Sequence, residues 1–423
     1  MSELSYLEKL LDGVEVKWLP LGNVAEIYGG LTGKSKSDFE NGNARYVSYK
    51  KIFGYLDVND YPTDYVYISE GERQNKVRYG DVLFTGSSEI ADEAGMSSAV
   101  TVHFDESVYL NSFSFGIRFS NSIKIKPEFA KYLFRTHFMR SEIAKTASGV
   151  TRFNISKSRF KKILVPIICP NDPEKSLAIQ SEIVRILDKF TALTAELTAE
   201  LNMRKKQYNY YRDQLLSFDE SSVEWKTLLE ACDYVDYRGK TPKKTQSGIF
   251  LVTAKNIRMG YIDYHASQEF ISEEDYAIVM RRGLPKKGDV LITTEAPCGF
   301  VAQVNRENIA LAQRVIKYRS KNTQLSNSFL KHYLLGSQFQ DKLMQAATGS
   351  TVKGIKGSRL HQLKIPIPSK VEQDRIVAIL DKFDTLTNSI TEGLPREIEL
   401  RQKQYEYYRD LLFSFPKPET ASN

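Results

Sequence analysis

The sequence predicts an α/β (α+β) fold with two mixed globular domains. Two long antiparallel coiled-coil helices separate them, in a circular repeat with a pseudo-two-fold axis. One observation is a 15-residue block that occurs twice, RKKQYNYYRDQLLSF at 204–218 and RQKQYEYYRDLLFSF at 401–415, with eleven identical positions. Another is a 12-residue segment at 183–194 that returns at 376–387 with nine identical positions. Such internal repetition indicates that one structural plan is used twice.

The repeat also brackets two interiors, roughly 19–160 and 228–360, that match each other poorly. The matched stretches are VEVK at 14–17 with VEWK at 223–226, GDVLF at 80–84 with GDVLI at 288–292, and 147–159 with 347–359. The N-terminal residues 6–11 resemble 211–216, so each interior is entered from the same kind of helical tail. This circular order predicts a closed body whose halves face opposite ways.

We therefore divide the chain into six segments. They are 1–13 as a helical tail that completes the repeat, 14–170 as the first globular domain, 171–218 as the central helical region, 219–370 as the second globular domain, 371–415 as the C-terminal helical region, and 416–423 as a tail.

Each interior reads as mixed α/β, with short β-rich runs that are broken by Gly and Asn turns. The runs lie at 44–50, 65–68, 82–84 and 113–119, and at 250–253, 290–294, 300–304 and 315–319. Apolar spacing predicts one helix at 127–144 and its counterpart at 328–347. Each half then ends in an apolar strand with proline, ILVPI at 163–167 and LKIPIP at 363–368.

The two helical regions carry apolar stripes with steps of three and four residues, which is typical of coiled coils. The stripes are Ile179, Ile183, Ile186, Phe190, Leu193 and Leu197, and Ile376, Ile379, Phe383, Leu386 and Ile390. Roughly 35–40 helical residues would extend for roughly 50–60 Å. In the second copy, Gly393 and Pro395 are expected to kink or interrupt the helix. We expect the two regions to pack together as a rigid spacer.

The first helical region contains the tandem TAELTAEL at 194–201. Each added tetrapeptide would lengthen a helix by about 6 Å, because the rise is about 1.5 Å per residue. The tandem is either a neutral surface duplication or a length adjuster. In the second reading the spacer positions are Thr194, Leu197, Thr198 and Leu201.

The composition favours a folded protein with two domains: 423 residues, 41% of them hydrophobic. No apolar run approaches a membrane span, and the polar N-terminus does not resemble a signal peptide. Three widely spaced cysteines predict neither structural disulfides nor zinc, and a cytoplasmic location is expected. The net charge of +7 is compatible with a nucleic-acid partner, but it is weak evidence alone, and a solvated surface is the commoner explanation.

Catalytic motifs are missing. GGLTGKS at 29–35 resembles a phosphate-binding loop, but the spacing from its first glycines to GKS is one residue too short. The five histidines are scattered, and neither an amino-methyltransferase motif nor a nuclease cluster is present. We therefore expect no enzyme activity, no cofactor and no metal site, and a protein that directs chemistry performed by others.

Basic and small polar residues recur near the end of each interior and in its first third. Such residues supply the donors that phosphates and base edges require. Taken singly, each one is more often a solvated charge, and the recurrence of the exit clusters at equivalent places in both halves strengthens the DNA-binding interpretation. The predicted DNA-binding residues are Lys34, Lys36, Arg152, Asn154, Lys157, Arg159, Lys240, Lys243, Lys353, Lys356 and Arg359. The blocks YNYYRD and YEYYRD can pack on the domains or face a partner, and packing is favoured for Tyr208 and Tyr211.

These features together resemble a type I restriction-modification specificity subunit. The opening SYLEKLLDGVEVKWLPLG, the TAEL tandem and the block RKKQYNYYRD are most similar to the type IC branch. The resemblance implies that each interior is a target recognition domain that binds one half of a bipartite, asymmetric site in double-stranded DNA. The helical regions would set the spacer and dock two modification (methyltransferase) subunits, and restriction subunits with ATP-dependent nuclease and translocase activity would join them.

The resemblance also implies that the number of TAEL units sets the gap between half-sites. Because residues 387–400 depart from the TAEL pattern, length adjustment should belong to the first helix alone. Three other interpretations stay open from the residues: a non-DNA coiled-coil scaffold with two binding modules, a fused methyltransferase, and a transcription regulator.

Overall fold

The computed structural model describes residues 6–238, 241–389 and 391–417. The chain divides into two compact units. Unit 1 contains the residues up to Thr194 together with those from Leu400 onward, and unit 2 runs from Ala195 to Glu399. Each unit therefore combines one globular domain with helical segments that lie far apart in the sequence. We call these globular parts domain 1 and domain 2.

The first half of the chain contains seven described α-helices and fourteen strands. The helices are α1 Tyr6–Leu11, α2 Leu21–Val24, α3 Tyr49–Gly54, α4 Pro127–Leu133, α5 His137–Lys145, α6 Lys157–Phe160 and α7 Pro173–Leu215. The strands are β1 Val16–Pro20, β2 Ala25–Gly29, β3 Ala44–Val47, β4 Asp57–Val58, β5 Asp64–Val66, β6 Lys76–Val77, β7 Val82–Thr85, β8 Ser87–Ser88, β9 Ser97–Val100, β10 Val108–Leu110, β11 Ser114–Phe119, β12 Ala147–Ser148, β13 Phe153–Ile155 and β14 Leu164–Ile168.

The second half repeats this order with fewer strands. The helices are α8 Leu228–Ala231, α9 Glu273–Val279, α10 Asn327–Leu335, α11 Ser337–Ala346, α12 Gly357–Leu360, α13 Lys370–Asn388 and α14 Leu394–Leu412. The strands are β15 Glu224–Thr227, β16 Cys232–Asp236, β17 Lys244–Thr245, β18 Ile249–Val252, β19 Phe270–Ile271, β20 Val290–Thr294, β21 Cys298–Gln303, β22 Ile309–Leu311, β23 Val315–Ser320 and β24 Lys364–Ile367.

Each domain combines β-sheets with short helices, as the mixed α/β pattern of the interiors predicts. Domain 1 has a five-stranded sheet of order β2-β11-β7-β9-β4, a four-stranded sheet β5-β3-β10-β6 and a three-stranded sheet β12-β13-β8. Domain 2 has two four-stranded sheets, β16-β23-β20-β21 and β17-β19-β18-β22. Every residue of β7 and of β20 is buried, so the GDVL repeat forms the centre of each core.

A two-stranded sheet closes each domain. In domain 1 the VEVK strand β1 pairs antiparallel with the exit strand β14, and Trp18 lies opposite Pro166. In domain 2, β15 pairs with β24 in the same way, and Trp225 lies opposite Pro366. The repeated segments that begin and end each interior are thus hydrogen-bonded neighbours, and the predicted exit strands are confirmed.

Two predictions about local structure are wrong. Residues 127–144 and 328–347 each form two helices instead of one. The first pair breaks at Thr136, which has extended ψ and whose side chain accepts a hydrogen bond from the Met139 amide as an N-cap. The second pair breaks at Gly336, which also has extended ψ. In addition, the predicted strand at 44–50 ends at Val47, and helix α3 begins at Tyr49.

The two helical regions differ in continuity. The helix α7 has 43 residues without a break, which gives a length of about 64 Å. The second region consists of two helices of 19 residues each, so the predicted interruption is confirmed. Gly393 has a φ of +81° and a Cβ there would lie 2.4 Å from the Thr385 carbonyl oxygen, so a larger residue would not fit. Ile390 of the predicted stripe lies outside the described residues.

The circular repeat is visible inside each unit. In unit 1 the Asp410 carboxylate, from the C-terminal block, accepts a hydrogen bond from the amide of His137 at the start of α5. In unit 2 the Asp213 carboxylate, from the central block, accepts one from the amide of Ser337 at the start of α11. The phenylalanine that ends each block packs on a phenylalanine of α4 or α10. Each domain therefore binds the tail of the other copy in the same way.

Candidate nucleic-acid interface

An ion pair between a buried aspartate and a partly exposed arginine links the central strands of each domain. Asp81 precedes β7 and accepts hydrogen bonds from Arg118 on β11 at 2.7 Å and from the Tyr28 hydroxyl at 2.7 Å. Asp289 precedes β20 and accepts two bonds of 2.6 Å from Arg319 on β23. The hydrogen bonds to these aspartates raise the pKa of both arginines, so both guanidinium groups stay protonated.

At the other end of these strands a β-hairpin docks on the central strand. In domain 1 the hairpin consists of β12, β13 and the turn between them, and the Ile155 amide donates to the Gly86 carbonyl at 2.9 Å. In domain 2 the corresponding residues are 348–354, and the Ile355 amide donates to the Thr294 carbonyl at 2.9 Å. The hairpin is therefore held at the same place in both domains.

Both hairpin turns require glycine. Gly149 and Gly349 have φ values of +141° and +113°, and an added Cβ would lie 1.9 and 2.2 Å from a carbonyl oxygen across the turn. The turns present apolar side chains to solvent, since Val150 is 91% and Val352 60% exposed. These turns project from the domain surface and can reach a partner.

Between the hairpin and the strand ends lies a groove in each domain. The groove of domain 1 has a volume of about 590 Å³ and is lined by Tyr49, Phe53, Ser87, Ser88, Glu89, Ile90, Glu93, Asn111, Phe113, Thr151 and Arg152. The groove of domain 2 has a volume of about 380 Å³ and is lined by Arg238, Thr294, Glu295, Gln313, Arg314, Thr348, Val352, Gly354, Ile355 and Lys356. A second cavity of about 460 Å³ adjoins it through Gln313 and Arg314.

Four predicted residues of domain 1 lie together at the hairpin and on α6, and all four are exposed. Arg152 donates from Nε to the Ser87 hydroxyl at 3.1 Å, and its guanidinium lies 5.6 Å from the centre of the Phe113 ring. Asn154 follows on β13, and Lys157 and Arg159 lie on α6. The structure thus gathers these polar groups on one edge of domain 1.

Of the six predicted residues of domain 1, Arg152 alone lines the groove, and Lys34 and Lys36 lie apart from the hairpin and α6. The amine of Lys34 forms an ion pair of 2.6 Å with Glu72, and the side chain of Lys34 is 5% exposed. This hydrogen bond lowers the pKa of Glu72 to about 2. Lys36 is exposed at the start of the 3₁₀ helix Lys36–Phe39. Lys34 therefore has a partner inside the domain, whereas Lys36 faces solvent.

In domain 2 the predicted residues are more scattered. Lys356 lines the groove, and Lys353 is exposed on the hairpin. Arg359 donates to the Ala346 carbonyl at 3.2 Å. Lys243 precedes β17, and its amide donates to the Asp275 carboxylate. Lys240 lies outside the described residues.

Several groove residues are absent from the predicted set. They are Asn111 and Phe113 in domain 1, and Arg238, Gln313 and Arg314 in domain 2. They belong to parts of the interiors that do not repeat, so no recurring sequence pattern indicated that they line a groove. Phe113 and Arg314 each lie at a corner of the chain, one residue before β11 and β23. This shared place can be found only when the strand register is known.

The helical regions carry the remaining predicted positions. Thr194, Leu197 and Leu201 are half-buried and Thr198 is exposed, all within the unbroken helix α7. Tyr208 is buried in the core cluster of domain 2, as predicted, and its ring also stacks on Phe383 of α13 at 6.0 Å. Tyr211 also stacks on Phe383 but stays 46% exposed, so the prediction of packing is only partly confirmed. The neighbouring tyrosines Tyr210 and Tyr407 are more than 60% exposed.

In unit 1 the helical segments also meet through aromatic rings. Phe190 of α7 stacks on Tyr408 of α14 with ring centres 5.3 Å apart. This contact and the Tyr208–Phe383 stack of unit 2 show that α7 contacts the C-terminal helical region in each unit, through Phe190 of the predicted stripe in unit 1 and through Tyr208 in unit 2.

The two grooves present different sets of polar groups. Donors in domain 1 come from Arg152 and Asn111 beside the Phe113 ring, and donors in domain 2 come from Arg238, Gln313, Arg314 and Lys356 beside Val352. Carboxylates also line both grooves, Glu89 and Glu93 in domain 1 and Glu295 in domain 2. Guanidinium, amine and amide groups are donors of the kind used for phosphate and base-edge contacts. Within the described residues, no three His, Cys, Asp or Glu side chains are grouped to hold a metal ion. None of the described helices is both long and apolar enough to cross a membrane.

Comparisons with known proteins agree with this arrangement. The family model described as the type I restriction modification DNA specificity domain matches residues 13–204 and 226–400. The specificity subunit of the Escherichia coli type I restriction enzyme EcoR124I/EcoR124II is 43% identical over 446 aligned positions, which cover 100% of both chains. The EcoprrI specificity subunit of E. coli is 36% identical over 93% of both chains.

A solved chain from a structure of the type I R-M system has a TM-score of 0.58 at 18% identity, with 94% of this chain and 97% of that chain covered. This likeness supports the fold. The matches to both halves and over the full length show that the chain belongs to the specificity subunits of type I restriction-modification systems.

Proposed function

We propose that this chain is a non-catalytic subunit that gives a type I restriction-modification complex its DNA sequence specificity. Each domain binds one half of a bipartite, asymmetric site in double-stranded DNA. The observation that carries the proposal is that a groove of different composition lies at the same place in both domains. Two domains with the same framework but different groove residues could each recognise a different half-site.

The proposed partners follow from family membership. Two modification subunits, which bind S-adenosylmethionine and methylate adenine, would dock on the helical regions, and restriction subunits would complete the nuclease. The exposed tyrosines Tyr210 and Tyr407 give α7 and α14 aromatic surface of the kind that is enriched at protein interfaces. The chain itself would carry no cofactor and would act in the cytoplasm. Assignment to the type IC branch stays a prediction.

Contacts to DNA are proposed for the exposed basic residues near the grooves. Arg152, Lys157 and Lys356 are exposed beside the hairpins, where the backbone and base edges of a duplex could both be reached. Lys34 is the weakest member of the predicted set, because its amine already binds Glu72.

The experiment is to express this chain with its cognate modification subunit and to map methylated adenines across a genome. The expected pattern is one split motif with two short specific parts and a fixed unspecific gap. A purified complex should also bind a duplex of that motif with an affinity that falls steeply as salt rises. If the complex neither binds nor methylates any split motif, the proposal fails and the non-DNA scaffold becomes the better interpretation.

A further inference from the structure

We infer that one arginine in each domain reads a guanine base, and that the two domains supply it from different positions of the chain. These residues are Arg152 on the hairpin of domain 1 and Arg314 on the corner before β23 of domain 2. The inference rests on the proposed DNA-reading function and names the specificity-determining residues of both grooves.

Backbone hydrogen bonds establish which positions correspond. The carbonyl of Phe113 accepts from the Gly86 amide at 2.7 Å, and the carbonyl of Arg314 accepts from the Thr294 amide at 2.9 Å. Phe113 and Arg314 therefore occupy the same corner, one residue before β11 and β23.

The hairpin positions correspond by the same reasoning. A Cβ on Gly149 would meet the Arg152 carbonyl, and a Cβ on Gly349 would meet the Val352 carbonyl. Arg152 and Val352 thus lie at the same place in the turn. Each is two residues before the residue that forms the last pair next to the turn, Asn154 opposite Ser148 and Gly354 opposite Thr348. At two matching places, domain 1 has phenylalanine at the corner and arginine on the hairpin, whereas domain 2 has arginine at the corner and valine on the hairpin.

The two arginines converge on a third matching position. Arg152 donates from Nε to the hydroxyl of Ser87 at 3.1 Å. Arg314 forms an ion pair from Nε to the carboxylate of Glu295 at 2.9 Å. Ser87 follows Gly86 and Glu295 follows Thr294, so the anchors of both guanidinium groups lie at the same place. Each domain therefore holds an arginine guanidinium at this position of its groove, from the hairpin in domain 1 and from the corner before β23 in domain 2.

The anchoring leaves a geometry that suits a guanine base. In both described interactions the anchor engages Nε, and the terminal nitrogens form the planar fork that matches O6 and N7 of guanine in the major groove. An apolar side chain stands beside the arginine positions in each groove, Phe113 in domain 1 and Val352 in domain 2, and such groups contact thymine methyls or base faces.

The test uses the full chain in complex with its modification subunit, with Arg152→Ala and Arg314→Ala as the variants. Methylation rates are measured on duplexes that carry each single base-pair substitution in the two half-sites. Arg152→Ala should lose discrimination on the order of tenfold to hundredfold at one G·C pair of one half-site. Arg314→Ala should do the same at one G·C pair of the other half-site. Because both side chains are exposed, each variant should keep the unfolding temperature of the parent. A changed unfolding temperature would reveal a folding defect.

Two further variants sharpen the result. Lys157→Ala, the control, should weaken binding to all sequences evenly and reduce the salt dependence, as loss of a phosphate contact does. The double variant Phe113→Arg with Arg152→Val gives domain 1 the arrangement of domain 2, and it should restore preference for a G·C pair in that half-site.

If Arg152→Ala keeps the same preference at every position, or weakens all sequences evenly as Lys157→Ala does, the inference is overturned while the proposed function stands. If the unaltered complex shows no split motif at all, the proposed function fails and this inference fails with it.

Discussion

Asp81 and Asp289 illustrate how the repeated residues serve the fold. Both are buried before a central strand and bind an arginine from the neighbouring strand. Removing one partner of such a pair typically costs about 3–5 kcal/mol, because an uncompensated charge remains. The GDVL repeat could be found in the sequence, but its arginine partners could not, since the strand pairing that brings them together is not local.

Domain 2 contains two histidines whose charge is linked to stability. Burial lowers the pKa of His332 and of His361, which lie in hydrogen bonds with Asp381 and Tyr318 at 2.7 Å. Because the folded state binds fewer protons than the unfolded chain, where histidine has a pKa of about 6.5, stability rises with pH through this range. Domain 2 should therefore lose stability as the pH falls from about 7.5 to about 5.5.

The chain offers a built-in readout, since Trp18 lies in domain 1 and Trp225 in domain 2. A Trp18→Phe variant should show by fluorescence that domain 2 unfolds at lower urea at pH 5.5 than at pH 7.5. A His332→Asn, His361→Asn variant should be less sensitive to pH than its parent. Equal pH dependence of these two proteins would exclude the histidines as the cause.

Among the secondary-structure elements, those with long periodic or repeated sequences could be predicted, and those fixed by single polar contacts could not. The stripe of α7 and the proline-containing exit strands β14 and β24 are in place because apolar periodicity and strand propensity act locally. The break between α4 and α5 depends on the Thr136 cap and on a hydrogen bond from His137 to a residue far along the chain, Asp410. Apolar spacing continues across that break, so it predicted one helix.

The TAEL tandem gives the next prediction, because it lies inside an unbroken helix. Deleting Thr198–Leu201 removes four residues and should shorten α7 by about 6 Å. At about 3.4 Å per base pair, the gap of the methylated motif should shrink by one or two pairs while both half-sites stay the same. Genome methylation mapping measures this result.

A matched control inserts one further TAEL unit after Leu201, and the gap should then lengthen by a similar amount. A gap that stays constant in both variants would show that α7 does not set the separation.

For the whole molecule, the circular repeat explains why the two units are built alike from distant pieces. Each domain receives the tyrosine-rich block of the other copy, through Asp410 in unit 1 and Asp213 in unit 2. The order of repeated motifs along the chain could predict this. It identified Arg152 and Lys356 of the grooves but not Phe113 and Arg314, because these two occupy matching places without any sequence likeness. The groove linings differ between the two domains, as they must if each domain recognises a different half-site.

If the framework is common and each interior reads its own half-site, the interiors should be exchangeable. Residues 19–160 are replaced by the corresponding interior of another specificity subunit with a known motif, and methylated adenines are mapped in cells that also contain the modification subunit. We predict that one half-site changes to that of the donor, while the other half-site and the gap length stay as they were. A change in both half-sites, or an unchanged motif, would contradict independent reading by the two domains.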